Sequence, residues 1–189
     1  SNTKGKTAII LPNKDLILPM INAIPKKVKS YNLSLSFPMG EMPLLKLFNS
    51  FFEMYNGGGS SFYFKDVLKI TENNIFNSIF KDEKDIETLN SKIKSLNITY
   101  LSKKFVKSLK LSKIDVFFEM TRKSIIDDLL GFADLCEEKL DMDIYYDQLV
   151  SLRKVLFIIQ KFKNQYSFEI SLSSLKEIFN DILKNQSIN

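Results

Sequence analysis

The chain has no histidine, one cysteine and two arginines among its 189 residues. Without histidine it lacks the commonest general base, every His-based triad and the usual zinc ligand sets, so any metal would have to rest on carboxylates. A lone Cys136 forms no internal disulfide, which points to a reducing, cytoplasmic setting. With Arg122 and Arg153 as the only guanidinium groups, recognition of phosphate by planar bidentate pairs is poorly supplied. Long apolar runs are missing too. The longest, Ala8 to Pro12 and Val155 to Ile159, fall far short of the roughly 18 to 20 residues needed to span a bilayer, so no membrane segment is expected. The opening Ser-Asn-Thr-Lys-Gly-Lys has neither an initiating Met nor an apolar signal region, and reads as the trimmed start of an excised domain.

What is present is ordinary globular material. With 44% apolar and 26% charged residues, the composition predicts a packed core and excludes a disordered or collagenous chain. Lys and Arg total 27 against 22 Asp and Glu, a net charge of +5. The wealth of Lys, Asn, Ile and Phe fits the codon bias of an AT-rich genome and carries no chemistry by itself.

The pattern along the chain predicts an α+β fold that is mainly α. Lys6 to Pro12 is a β-branched apolar run, Asp15 to Ile24 has helical spacing despite Pro19, and Leu33 to Phe37 alternates like a half-buried strand. This strand-helix-strand element, residues 1–40, resembles a piece of a parallel sheet, and two strands do not stand alone. Residues 41–189 predict an irregular bundle of five or more helices. The first carries Leu44, Leu45, Phe48, Phe51, Phe52 and Tyr55 and stops before Gly57 to Gly59. A second starts at Phe64 with Val67, Leu68, Ile75, Phe76 and Ile79 inward. A third presents Ile86, Leu89, Ile93 and Leu96. The segment from Asn97 to Phe118 mixes strand-like and helical signals. Helices follow over Thr121 to Leu140, Asp143 to Lys163 and from an N-cap at Ser171.

No motif supports catalysis, and no cofactor is expected. Asp141, Asp143 and Asp147 lack the central Gly and terminal Glu of a calcium loop and read as helix caps. Gly57 to Ser61 follows a helix, the reverse of a phosphate loop, and Gly5-Lys6-Thr7 lacks the upstream glycine of one. Asp82-Glu83-Lys84 and Glu137-Glu138-Lys139 mimic the end of a nuclease motif, but they fall on or beside predicted helices and not on a strand. Cys136 lies on an apolar stripe, as a buried inert thiol would. Phe48, Phe51, Phe52 and Phe179 recur at helical spacing, the mark of a core more than of a base-stacking platform. Two basic clusters remain, Lys26, Lys27 and Lys29, and Lys103, Lys104, Lys107 and Lys110. They read either as a face that follows a nucleic-acid backbone or as solvated lysines.

Thr7 to Met39 resembles a region of bacterial RecB/AddB-like proteins, which join a superfamily I helicase-like part, often inactivated, to a PD-(D/E)XK nuclease part. The matching pieces are Ala8 to Leu11 for a strand of the second motor lobe, Leu16 to Pro25 for its helix, and Asn32 to Met39 for the segment after it. Phe62 to Ile70 (FYFKDVLKI) is similar to the family's aromatic pair ahead of a Lys-Asp-Val-Leu helix start, whereas Thr71 to Asn74 lacks the usual Leu-His-Pro continuation. The resemblance covers roughly the first 80 residues. It implies part of a second RecA-like lobe followed by an inserted helical subdomain, with no catalytic residue of the family inside this chain. DNA, and the remainder of the parent chain or a partner subunit, are the partners it implies. The alternative expectation is a helical protein-interaction module without nucleic-acid contact.

Overall fold

Leu44, Leu45, Leu47, Phe48, Phe51, Phe52 and Tyr55 are all buried on one helix, α1, Pro43–Tyr55. Pro43 suits its first turn, where a missing N–H loses nothing. The computed structural model describes residues 9, 16, 19–20, 23–25, 27–28, 37–56, 60–81, 84–165, 170–185 and 187–188. The chain divides into two units, Ser1–Leu35 and Ser36–Asn189. Of the expected strand-helix-strand element, Lys6 to Pro12 lies outside the described residues except for an exposed Ile9, and Pro19, Met20 and Ala23 are helical.

Among the described residues the second unit is mainly helical with two small antiparallel pairs of strands, an α+β arrangement. β1, Phe37–Pro38, pairs with β4, Ser187–Ile188, at the far end of the chain. β2, Ser61–Tyr63, pairs with β3, Tyr100–Ser102, in the register Phe62 opposite Leu101. Those two face inward with no exposure, while Tyr63 and Tyr100 stand on the other face with ring centroids 5.5 Å apart, as alternation along a strand requires.

Between the strands run α2, Phe64–Thr71, α3, Asn74–Ile79, and α4, Asp85–Ser95. The single helix expected from Phe64 to Ile79 is in fact two. Asn73 breaks it: its Oδ1 accepts the amides of Ile75 at 2.9 Å and Phe76 at 3.4 Å, capping a new helix. Replacing Asn73 by Ala is expected to cost about 1 kcal/mol, which a thermal melt would read as a fall in Tm of roughly 2 to 4 °C. Leu96, expected inward, is 59% exposed. The helix has ended there. Asn97 takes a left-handed φ of 49°, and the Ile98 amide reaches back to the Ile93 carbonyl at 3.1 Å. This Schellman closure turns Ile98, and not Leu96, toward the core.

The segment of mixed strand-like and helical signals holds β3, α5, Lys103–Ser108, and the start of α6, Val116–Glu119. Then come α7, Ile125–Lys139, α8, Met142–Gln165, and α9, Leu172–Asn185. Ahead of α7, Thr121 and Ser124 exchange hydrogen bonds, the Thr121 amide to Ser124 Oγ at 2.9 Å and the Ser124 amide to Thr121 Oγ1 at 3.2 Å. They close a turn ahead of the helix, which itself starts at Ile125, four residues after the Thr121 that the sequence predicts. α7 and α8 lie side by side, clipped by Arg153, whose Nη2 donates to Asp134 at 2.6 Å and Glu137 at 2.7 Å.

The core of this unit is aromatic. Phe132 packs against Phe48, Phe51, Phe76, Phe80 and Phe117 at centroid separations of 4.9 to 6.4 Å. Phe52 meets Phe179 at 5.0 Å, which ties α1 to α9. No described helix is long and apolar enough to cross a membrane.

Candidate functional site

Ser102 opens α5 by accepting the Phe105 amide on its Oγ at 3.1 Å. Lys103, Lys104 and Lys107 follow, and at about 100° per residue they share one arc of roughly 100°, with Val106 turned into the core. Lys104, Lys107 and Lys110 are exposed and Lys103 is half-buried. Lys110 closes the helix in a left-handed conformation, φ 51°. That position favours glycine or asparagine, and a lysine there costs about 1 kcal/mol of backbone strain. Lys107 is partly compensated by Glu119, Nζ to Oε1 3.5 Å.

Lys103 stands at the edge of this arc that meets α1. Its Nζ lies 5.9 Å from the centroid of the Tyr55 ring, within cation–π reach. It lines a groove of about 450 Å³ closed by three other pieces: Tyr55 and Asn56 at the end of α1, Thr121 and Arg122 in the capping turn, and Ser171 and Ser173 at the start of α9. Each piece is held from beneath. The Tyr55 hydroxyl donates to the Phe117 carbonyl at 2.9 Å, and Ser171 Oγ accepts the Ser174 amide at 3.0 Å. Burial pushes the Tyr55 phenol well above its ordinary range, a backbone hydrogen bond at Met120 opposes this, and the carboxylates of Glu119 and Asp128 add to the rise. The groove is thus lined by Lys103 and Arg122, by hydroxyls and by the Asn56 amide, with two acids near its tyrosine end.

The other sequence candidates fall out separately. Lys26 and Lys29 lie outside the described residues, and Lys27 is exposed in a turn of the Ser1–Leu35 unit. Gly5 to Thr7, Gly57 to Gly59 and Asp82-Glu83 also lie outside them. Asp141 Oδ1 accepts the Asp143 amide at 3.0 Å, so it caps α8 as expected. Among the described residues no three His, Cys, Asp or Glu side chains are placed to hold a metal ion. Glu137 to Lys139 form the last turn of α7, with Glu137 committed to Arg153. Cys136 is fully buried, its thiol pushed up to about 12 by desolvation, with Arg153 pulling the other way. Phe48, Phe51, Phe52 and Phe179 are at most 1% exposed and belong to the core.

The sequence missed the groove. Arg122 carried no pattern, Tyr55 read only as part of an apolar face and Ser171 only as a cap, and nothing local signals that their termini meet. Compared with family models, curated proteins and solved structures, the chain has no significant match.

Proposed function

We propose that this chain is a non-catalytic accessory part of a bacterial helicase–nuclease-type DNA-processing protein, docking a nucleic-acid backbone on the α5 face. The observation that carries the reading is the gathering of Lys103, Lys104, Lys107 and Lys110 on one short helix and its closing turn, continued by Lys103 and Arg122 into the groove. Lysines supply the sequence-independent, counterion-releasing attraction to phosphate that positions a duplex without reading it. Chemistry in this reading belongs to the remainder of a longer chain or to a partner subunit, in a reducing cytoplasm that suits the single Cys136.

The test is binding to a fluorescent duplex with a single-stranded tail as salt is raised. Contacts to about three phosphates should weaken affinity roughly 40-fold between about 50 and 200 mM salt. The triple variant K103E/K104E/K107E should remove binding, and Glu119→Gln should strengthen it by freeing Lys107. No binding of the unaltered chain at low salt overturns the reading.

A helical protein-interaction module is the second reading, and one observation favours it. Ile144, Tyr146, Phe157 and Ile158 of α8 are exposed by 63%, 58%, 54% and 46%. Tyr146 and Phe157 share one side of the helix and Ile144 and Ile158 another, so apolar side chains left in water flank its outer face, as a contact surface would.

A further inference from the structure

The inner face of α8 is filled by Leu149, Leu152, Val155, Leu156 and Ile159. Its outer face has a regular order of its own. Asp143, Asp147, Val150, Lys154, Phe157 and Lys161 are separated by four, three, four, three and four positions, which sets them in one row along the helix; with four of the six charged, the row is a charged stripe and not the apolar seam of a coiled coil. All but half-buried Val150 are exposed, and among the described residues none of the four charged ones is in an ion pair. The charges are sorted, with acids at the N-terminal end and lysines toward the C-terminal end. The helix dipole accounts for Asp143. It does not account for Lys154, which sits in the middle of the helix.

We propose that this face pairs antiparallel with α8 of a second copy of the chain. A two-fold axis at the level of Leu152 sets Asp143 opposite Lys161, Asp147 opposite Phe157 and within one turn of Lys154, and Val150 opposite the stem of Lys154. Asp143 meets Lys161 of the other copy, Asp147 has Lys154 one turn away, and Phe157 with the neighbouring Tyr146 and Ile158 leaves water. A parallel pairing would set acid against acid and lysine against lysine, so the charge order selects the antiparallel one. Such an arrangement is isologous and closes at two copies. It rests on the interaction reading above and is indifferent to whether α5 binds nucleic acid. A single pair of helices buries little area, so a dissociation constant of roughly 10 to 100 µM is expected.

The experiment is sedimentation equilibrium of the full chain across that concentration range, with circular dichroism to confirm that every variant is folded. The unaltered chain should move from one copy to two. D143K/D147K makes the face wholly basic and K154E/K161E wholly acidic, so each alone should stay monomeric while their equimolar mixture dimerises. Phe157→Glu, at a solvent-facing position, should also be monomeric. A monomer throughout, or charge variants that self-associate as readily as the unaltered chain, overturns the pairing. An effect of these variants on duplex binding is not expected, so the nucleic-acid reading fails or stands by its own titration.

Discussion

Phe132→Ala should be the most destabilising single substitution in the chain, by about 3 to 5 kcal/mol. The side chain is 3% exposed and touches five other phenyl rings, stacked on Phe48 at 5.2 Å and edge-on to Phe117 at 4.9 Å. Truncation removes its transfer free energy and leaves a cavity that five stiff rings on α1, α3, α6 and the turn after α3 cannot collapse to fill. Since a domain of this kind is stable by only about 5 to 15 kcal/mol, a Tm lowered by roughly 10 °C or more is expected. Phe132→Leu, which keeps most of the volume, should recover more than half of the loss. Leu96→Ala, at a position 59% exposed, should lie within about 0.5 kcal/mol of the unaltered chain. Equal melts for Phe132→Ala and Leu96→Ala would mean that the aromatic cluster is not the core.

Phe132 also marks the limit of what the sequence shows. The stripe Ile125, Ile126, Leu129, Leu130, Ala133 and Cys136 was legible because helical periodicity is a local signal, and all but the half-buried Leu130 are buried. Phe132 lies on the edge of that stripe, and its burial depends on rings brought from α1, α3 and α6. The same distinction separates the elements. α1, α4, α7, α8 and α9 each present an apolar face long enough to repeat, and Ser171 announces its helix by capping it. The strands Ser61–Tyr63 and Tyr100–Ser102 are three residues each, too short to alternate more than once. They exist through pairing across a gap in sequence that no window spans. Asn73 was readable in principle as a cap, but the apolar positions on either side of it keep helical phase and conceal the break.

The candidate site divides along the same line. The lysines of α5 form a cluster in sequence and a cluster in space because six residues of helix hold them together. The groove is assembled from Tyr55, Lys103, Arg122 and Ser171, which share no spacing, and only the meeting of several chain turns makes them neighbours. Lys107 shows the reverse case. It reads as a free cation, yet a glutamate from the next helix, Glu119, stands 3.5 Å away.

Two buried groups should dominate the response to alkali. Tyr55 and Cys136 are neutral when protonated, and burial, the largest cause for each, holds both folded-state pKa values above the ordinary ones, Cys136 rising from 9.0 to about 12. A raised folded-state value means that the unfolded chain releases the proton first. Their contribution to stability is therefore complete below the unfolded pKa and is lost as pH climbs through the folded one. For Cys136 the window runs from about pH 9 to about 12; for Tyr55 it opens near pH 10. Within it each group removes up to about 1.4 kcal/mol per pH unit. The urea midpoint should accordingly be level from neutrality to about pH 8.5 and then fall with increasing slope. Cys136→Ala should delay the fall, at the expense of a small cavity. Tyr55→Phe should flatten it above about pH 10, after an initial loss of about 1 kcal/mol for the Phe117 carbonyl left without its donor. Because the Tyr55 ring also floors the groove beside Lys103, and Phe keeps the ring while removing the hydroxyl, the same variant separates two roles. Unchanged duplex binding together with a flattened alkaline limb would show the hydroxyl acting on the fold alone. An alkaline slope in Tyr55→Phe equal to that of the unaltered chain would show that burial does not hold the pKa of this phenol above its unfolded value.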